Sequence, residues 1–181
     1  MNSENTAVRV LFVCLGNICR SPMAEGVFRE RVASAGLSSR ITIDSAGTGA
    51  WHVGNPPDPR GQAASTDRGI DISSQRARQV DQADFSKFDY VIAMDGSNLD
   101  TLKRLAPRNA RSQLHLFLEF VPSSVTNTVD RDVPDPYYSG PDGFETVLDL
   151  IEAASAGLLA HISSSSAFAP ASPSGNISSA T

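Results

Sequence analysis

Cys14 and Arg20 carry the strongest chemical signal in the sequence, because both belong to one short segment, VCLGNICRSP (13–22). This segment is predicted to run from a strand into a helix N-terminus, where inward-pointing backbone N–H groups form a cradle for an anion. A helix N-terminus and a cationic neighbour also favour the thiolate form of a cysteine. The arginine presents a planar fork of donors that suits two phosphate oxygens. The spacing therefore predicts attack by sulfur on phosphorus, and a merely buried structural cysteine is the alternative.

The neighbouring residues suit such a cradle. Gly16 and Asn17 are residue types that tolerate the positive φ that a tight loop requires. Ser21 directly follows Arg20, so its hydroxyl is placed either to stabilise the thiolate or to cap the next helix, and these two uses compete.

Four segments have the pattern of strands. Two of them, 7–13 and 90–95, are apolar at nearly every position, which is typical of strands covered on both faces. The other two, 41–47 and 113–120, alternate more between apolar and polar residues. We therefore expect the first pair to be inner strands and the second pair to lie nearer the edges of a sheet.

Helical patterns separate these strands. Ser21 is predicted to cap a first helix that has Pro22 at its first position and ends at Gly36. Further helices are predicted over 58–69, 96–106 and 142–162. Strands that alternate with helices predict parallel βαβ units and a doubly wound α/β sheet.

Composition limits the functional classes. A chain of 181 residues with 40% hydrophobic content supports one core, and a net charge of -5 argues against nucleic-acid binding. We expect no membrane association, because no apolar run approaches the ~20 residues of a membrane span, and the first residues lack the pattern of a secretory signal. The three histidines are scattered, which predicts no metal site. A cytoplasmic protein is the expectation.

The end of the sequence differs from the rest. Residues 163–181 are rich in Ser, Ala and Pro and carry no charge or usable periodicity. We predict a single domain over 1–162, followed by a disordered tail over 163–181.

From about residue 7 to 162, the sequence resembles the low-molecular-weight protein tyrosine phosphatases. VLFVCLGNICRSP (10–22) is similar to the phosphate-loop signature of that family. Further matching segments are DSAGT (44–48), GNPPDPRGQ (54–62), RARQV (76–80), FDYVIAMDGSNL (88–99) and DVPDPYY (132–138). The resemblance implies a three-layer fold, in which helices cover both faces of a four-stranded parallel sheet, and a reaction without metal or organic cofactor.

The resemblance also implies roles for the matching residues. Cys14 is expected to be the nucleophile, and Ser21 is expected to stabilise its thiolate. Asn17 is expected to hold the loop in shape, with Ser45 as a hydrogen-bond partner. The loop as a whole is expected to bind phosphate, with Arg20 as the clamp, through Leu15, Gly16, Asn17, Ile18, Cys19 and Arg20.

Asp135 is the residue that the resemblance implies as general acid. The mechanism needs a carboxylic acid that protonates the leaving phenolate and then activates water. Asp135 is distinguished by its flanking prolines and by the two tyrosines that follow. The residues alone leave other loop aspartates open, and a solvated turn aspartate is the simplest alternative; these others are Asp44, Asp95, Asp130 and Asp132.

Aromatic residues are expected at the rim of the substrate pocket. Trp51, Tyr137 and Tyr138 stand in polar segments of a chain with only 7% aromatic residues, so an aryl phosphate could pack on them. Ile18 also bears on specificity, because an apolar residue at this position resembles the tyrosine-directed members. Related protein-arginine phosphatases tend to carry threonine there.

Cys19 is the second cysteine of the loop. We hypothesise that it traps an oxidised Cys14 as a reversible disulfide and so prevents irreversible oxidation. A small packing residue is the alternative.

Gln75 is a departure from the family. Members often carry histidine just before the RAR segment, where it supports the phosphate loop. Glutamine still forms hydrogen bonds, so we expect altered loop rigidity at most.

The expected function is hydrolysis of phosphotyrosine in proteins through a phosphocysteine intermediate. A protein-arginine phosphatase, an arsenate reductase on the same fold and a non-catalytic phosphoprotein-binding module remain as alternatives. The arsenate reductase is disfavoured because no cysteine follows Cys19. The expected partner is a phosphotyrosine-containing protein, and the expected oligomeric state is a monomer or weak dimer.

Overall fold

A four-stranded parallel sheet forms the centre of the protein. The structure, a computed structural model, describes residues 7–124 and 130–165. The strands are β1 (Val8–Cys14), β2 (Ile41–Gly47), β3 (Tyr90–Ala93) and β4 (Gln113–Leu116), in the order β2-β1-β3-β4. The apolar strands β1 and β3 are the inner pair and β2 and β4 the edge strands, so the placement predicted from the hydrophobic pattern is confirmed.

Helices cover both faces of the sheet. They are α1 (Arg20–Ser34), α2 (Pro59–Asp67), α3 (Asp84–Lys87), α4 (Gly96–Leu105) and α5 (Pro141–Ser164). Alternate residues of β1 point into separate cores: Phe12 packs with α1 and α5, whereas Leu11 packs with α3 and α4. The three-layer, doubly wound α/β fold is therefore confirmed. The short helix α3 was not predicted.

The predicted fourth strand is wrong in its second half. β4 ends at Leu116, and Phe117–Phe120 form a 3₁₀ turn in which Phe117 is fully buried. Close packing explains the change, because a Cβ on Gly157 of α5 would lie only 1.7 Å from the carbonyl oxygen of Phe120. The α5 backbone thus approaches this segment directly, and the turn fits that contact where a longer strand was expected.

The predicted cap of α1 is also wrong. The helix begins at Arg20 with Cys19 at the N-cap position, and no side chain caps it. Ser21 therefore lies inside the first turn, where its hydroxyl is free for the loop. The other end agrees with the prediction, because Gly36 has φ 71° and donates its N–H to the Ala33 carbonyl.

α5 differs from the sequence-based expectation in two respects. An 18-residue stretch within Asp142–Ser164 has a mean hydropathy of 1.3, so by length and composition alone this helix could cross a membrane. Its apolar side is used inside the protein, where Leu148, Ile151 and Leu158 are fully buried, so we assign it as a core helix. The helix also continues to Ser164, into the predicted tail, and residues 166–181 of that tail lie outside the described residues.

Candidate active site

The Cys14 sulfur lies at the end of β1 and faces donors of the following loop. The backbone N–H of Asn17 donates to Sγ at 3.2 Å, and Asn17 has the positive φ of 55° that the sequence predicted. Gly16 does not, so that part of the prediction is wrong. The lack of a side chain leaves room for the His52 ring, because a Cβ on Gly16 would lie 3.0 Å from its Cδ2 atom.

Ser21 faces the same sulfur atom. Its Oγ lies 3.1 Å from Cys14 Sγ and 3.3 Å from the carbonyl oxygen of Ala46. Of the two uses that the sequence left open, the structure has the hydroxyl at the sulfur and not at the helix cap. Both Cys14 and Ser21 are buried, so this contact is shielded from bulk water.

Asn17 joins the loop to the rest of the protein. Its Nδ2 donates to Ser21 Oγ and Ser45 Oγ, both at 2.9 Å, and its Oδ1 accepts from the backbone N–H of Arg78 at 3.0 Å. The predicted pairing with Ser45 is therefore observed. Ser45 in turn donates to Glu25 Oε2 at 2.5 Å, a partner that sequence reasoning missed.

Arg20 is held by two carboxylates, Asp95 and Asp135. Its side chain is only 4% exposed, and Nη1 donates to Asp95 at 2.6 Å and to the Val133 carbonyl at 3.0 Å. Nη2 donates to Asp135 at 3.3 Å. Burial disfavours the charge, but Cys14 and the two carboxylates together raise the pKa of Arg20 above its usual value. The guanidinium is therefore charged and fixed in direction.

Asp135 is the aspartate that reaches the cavity beside Cys14. Its side chain is 43% exposed, and Oδ1 accepts the backbone N–H of Tyr137 at 3.1 Å. Among the aspartates that the sequence left open, only Asp135 lines this cavity. The others have different partners: Asp95 binds Arg20, Asp44 binds Arg78, Asp132 accepts the Gly96 N–H, and Asp130 accepts the Asp132 N–H.

The cavity has a volume of about 210 Å³ and an aromatic rim. Trp51 is 74% exposed and Tyr138 is 93% exposed, and both line the cavity together with Tyr137 and Ile18. The structure thus brings the residues expected at the rim around the cysteine. His52 also lines the cavity and was missed, because a lone histidine in a polar loop carries no sequence signal.

Asp58 and Arg60 connect the two sides of the cavity, a role that the sequence did not indicate. The Asp58 N–H donates to the Ile18 carbonyl at 2.7 Å, and its carboxylate binds Arg60 at 2.8 Å. The guanidinium donates to the Tyr137 carbonyl at 3.1 Å and lies over the Tyr137 ring at 5.6 Å. A hydrogen bond from Arg60 lowers the pKa of Asp58, so this carboxyl group remains ionised.

Cys19 is part of the loop, and Gln75 contacts the first turn of the helix that follows it. Cys19 is a buried free thiol, and burial, followed by the charges of Asp58 and Cys14, raises its pKa to about 12. Gln75 Nε2 donates to the Pro22 carbonyl at 3.1 Å, so its contact is with the first turn of α1, and the effect on loop rigidity stays a prediction. Its Oε1 is buried and has no partner among the residues described.

The described residues contain no cluster of side chains suited to bind a metal ion. Within 7–124 and 130–165, no group of three or more His, Cys, Asp or Glu side chains is arranged to hold a metal ion.

A thiol at the end of the first strand of a doubly wound sheet, surrounded by loop donors and a buried arginine, is an arrangement suited to a cysteine-dependent phosphomonoester hydrolase. The family model described as low molecular weight phosphotyrosine protein phosphatase matches residues 9–167. The chain belongs to this family.

Individual relatives agree with the family match. The chain is 51% identical over 156 residues to a low molecular weight protein-tyrosine-phosphatase of Streptomyces coelicolor, covering 85% of this chain and 93% of that protein. It is 53% identical over 138 residues to a low molecular weight phosphotyrosine protein phosphatase of Schizosaccharomyces pombe, covering 76% and 85%. The crystal structure of YfkJ from Bacillus subtilis superposes with a TM-score of 0.80 at 44% identity, covering 88% and 97%.

Proposed function

We propose that the protein hydrolyses phosphotyrosine in proteins, and small aryl phosphates, through a phosphocysteine intermediate. The observation that carries the proposal is the surroundings of Cys14 Sγ, where the Asn17 N–H at 3.2 Å and the Ser21 hydroxyl at 3.1 Å approach the same sulfur. Donors directed at a buried sulfur favour the thiolate, which is the nucleophile. The loop backbone, from Leu15 to Arg20, then offers N–H groups to the phosphate oxygens.

In the first step, the Cys14 thiolate forms a bond to phosphorus while the bond from phosphorus to the tyrosine oxygen breaks. The electron pair goes to the tyrosine oxygen, which takes a proton from Asp135. Arg20 binds the equatorial oxygens. An entering phosphate replaces the 3.3 Å contact between Arg20 and Asp135, and thereby frees the carboxyl group for the leaving oxygen.

In the second step, the Asp135 carboxylate takes a proton from water as the water oxygen bonds to phosphorus. The sulfur–phosphorus bond breaks, and inorganic phosphate and the Cys14 thiolate are released. The Ser21 hydroxyl, 3.1 Å from the sulfur, stabilises the departing thiolate. Atoms and charges balance without an oxidant or metal.

The rim supports an aryl substrate. Trp51, Tyr137 and Tyr138 provide apolar surface at the mouth of the cavity, and Ile18 lines its wall. A phosphotyrosine ring packs against such a surface, whereas the charged guanidinium of phosphoarginine gains less from an isoleucine. This contact favours the tyrosine phosphatase over the protein-arginine phosphatase.

We further propose that the protein acts in the cytoplasm as a monomer or weak dimer.

One assay separates the alternatives. We expect turnover of p-nitrophenyl phosphate and phosphotyrosine in the presence of a chelator, and loss of both in Cys14→Ser. Activity with phosphoarginine or arsenate alone would assign one of the other two enzymes. If none of the four substrates is turned over, the protein is a non-catalytic phosphoprotein-binding module.

A further inference from the structure

Glu25 is a buried carboxylate that no step of the proposed reaction uses. Its side chain is 8% exposed, and it accepts from Ser45 Oγ through Oε2 and from the half-exposed Arg29 through Oε1. Burial raises the pKa of Glu25, against the opposing effects of the Ser45 hydrogen bond and the Arg29 charge. Burial of a carboxylate costs desolvation free energy, which its ion pair and hydrogen bonds must offset. The hydrogen bond from Ser45 connects this buried group to the nucleophile loop through Asn17.

The orientation of the Asn17 amide is determined by its backbone partner. The N–H of Arg78 can only donate, so the atom of Asn17 that it contacts at 3.0 Å must be the oxygen. Both amide hydrogens of Asn17 then go to hydroxyl oxygens, one to Ser45 and one to Ser21, each at 2.9 Å. Each serine oxygen is thus an acceptor toward Asn17 and must place its own hydrogen elsewhere.

The two serine hydrogens have different destinations. The hydrogen of Ser45 goes to the Glu25 carboxylate at 2.5 Å. The hydrogen of Ser21 can reach Cys14 Sγ at 3.1 Å or the Ala46 carbonyl at 3.3 Å, and an ionised sulfur is the stronger acceptor. On one side, Asn17 donates to Ser45, and Ser45 donates to the Glu25 carboxylate. On the other side, Asn17 donates to Ser21, and Ser21 donates to the Cys14 sulfur. Each chain of hydrogen bonds therefore runs away from Asn17 and ends at an anion.

We propose that Glu25 is a positioning residue for the nucleophile. Glu25 accepts the Ser45 hydrogen, so that a lone pair of Ser45 Oγ is directed at the Asn17 amide. Asn17, anchored in this way, keeps its positive φ and directs its backbone N–H at Cys14 Sγ. The proposal rests on the proposed function, since it assigns a support for the thiolate nucleophile. It does not require Glu25 to contact substrate.

Glu25→Gln is a sharp test because Arg29 determines how the introduced side chain must lie. Arg29 only donates, so the glutamine oxygen faces Arg29 and the NH₂ group faces Ser45. Ser45 Oγ then meets two donors, one from the introduced glutamine and one from Asn17, and its own hydrogen has no acceptor. We expect Asn17 to lose its anchor and the sulfur to lose part of its donor set.

The measurement is the pH dependence of Cys14 alkylation by iodoacetate, followed by peptide mapping, which requires no turnover. The midpoint pH is expected to rise by about one unit and kcat for p-nitrophenyl phosphate to fall about tenfold. If Glu25 acted only through its charge, removal of a nearby negative charge would lower the midpoint. An unchanged or lowered midpoint therefore overturns the proposal.

Two further variants locate the effect. Glu30→Gln is the matched control on the exposed side of α1 and should leave the midpoint as in the wild type.

Ser45→Ala should raise the midpoint by itself, and adding Glu25→Gln to it should change the midpoint little further, because the link is already removed. Independent, additive shifts would overturn the proposal. If Glu25→Gln does not fold, a wild-type midpoint in Ser45→Ala would still refute the proposal.

The outcome is distinguishable from failure of the proposed function. Inactivity of the wild-type protein on all phosphate esters would refute the function, while alkylation would still report on Glu25.

Discussion

The nucleophile loop (residues 14–21) and the acid loop (residues 132–138) face the same cavity but are held in different ways. In the nucleophile loop, Cys14, Asn17, Arg20 and Ser21 are all buried and bonded to fixed partners. The acid loop lies outside the helices and strands, and its Asp135 side chain is 43% exposed. The functional side chains of the nucleophile loop are all buried, whereas the acid loop is anchored by its buried Val133, which donates its N–H to the Met94 carbonyl, and leaves Asp135 half-exposed.

The difference matches the two tasks of the proposed reaction. The thiolate and phosphate donors must be in place before the substrate arrives, since preorganised donors stabilise the transition state without reorganisation. The acid must reach leaving groups that differ between substrates, and a half-exposed side chain such as Asp135 has more freedom to adjust than a buried one. The variants below test whether this division holds, beginning with the largest expected effect.

Cys14→Ser should abolish turnover, with a loss of at least about 10⁴-fold, because the remaining thiol of the loop, Cys19, is buried and has a pKa raised to about 12. Steady-state hydrolysis of p-nitrophenyl phosphate measures it. Binding of inorganic phosphate should persist, since the loop amides and Arg20 remain. Substantial residual turnover would show that the nucleophile lies elsewhere.

Asp135→Asn should slow hydrolysis of a poor leaving group by roughly 10²- to 10³-fold, because asparagine cannot donate the proton. Esters with good leaving groups need less protonation and should lose less. The comparison is kcat across phenyl phosphates of graded leaving-group acidity. An equal loss across the series would remove Asp135 from the acid role and make the acid loop a binding element only.

Arg60→Gln should lower kcat about tenfold, most for poor leaving groups, because it removes the hydrogen bond to the Tyr137 carbonyl and the stacking on the Tyr137 ring. The midpoint pH of Cys14 alkylation should not change, since the nucleophile loop keeps its own partners. Arg68→Gln is the matched control, because Arg68 binds Glu145, away from the cavity. An equal loss in both variants would indicate general destabilisation.

Cys19→Ser should have the smallest effect, on recovery after oxidation. The proposed sequence is oxidation of Cys14 by peroxide to sulfenic acid, followed by reaction with the Cys19 thiol to form a disulfide and water. Recovery with dithiothreitol, relative to each variant's activity before peroxide, should fall severalfold without Cys19. Equal recovery would leave Cys19 as a packing residue.

The pKa of Cys19 adds a check on the same residue. Because burial raises its pKa to about 12, Cys19 is a neutral thiol at pH 8 and should resist alkylation. Iodoacetamide should therefore label one cysteine in the wild-type protein and none in Cys14→Ser. Labelling of Cys14→Ser would show that Cys19 is more open than the structure indicates.

The sequence determined the features that depend on local pattern. Apolar runs identified β1 and β3 as inner strands, and Pro22 and Gly36 marked the neighbourhood of both ends of α1. The position of Cys14 after a buried strand and before a helix was enough to predict an anion site, because parallel strands direct their carboxyl ends to one edge.

Only the tertiary structure decided which side chains meet across distant segments. Glu25 below Ser45, Asp95 beneath Arg20 and Arg60 against the acid loop are contacts between segments that no spacing in the sequence relates. The same holds for the 3₁₀ turn after β4, which follows from the close approach of α5. Local pattern reflects backbone preference and burial, whereas hydrogen-bond partners and tight contacts depend on how the packed layers fit together.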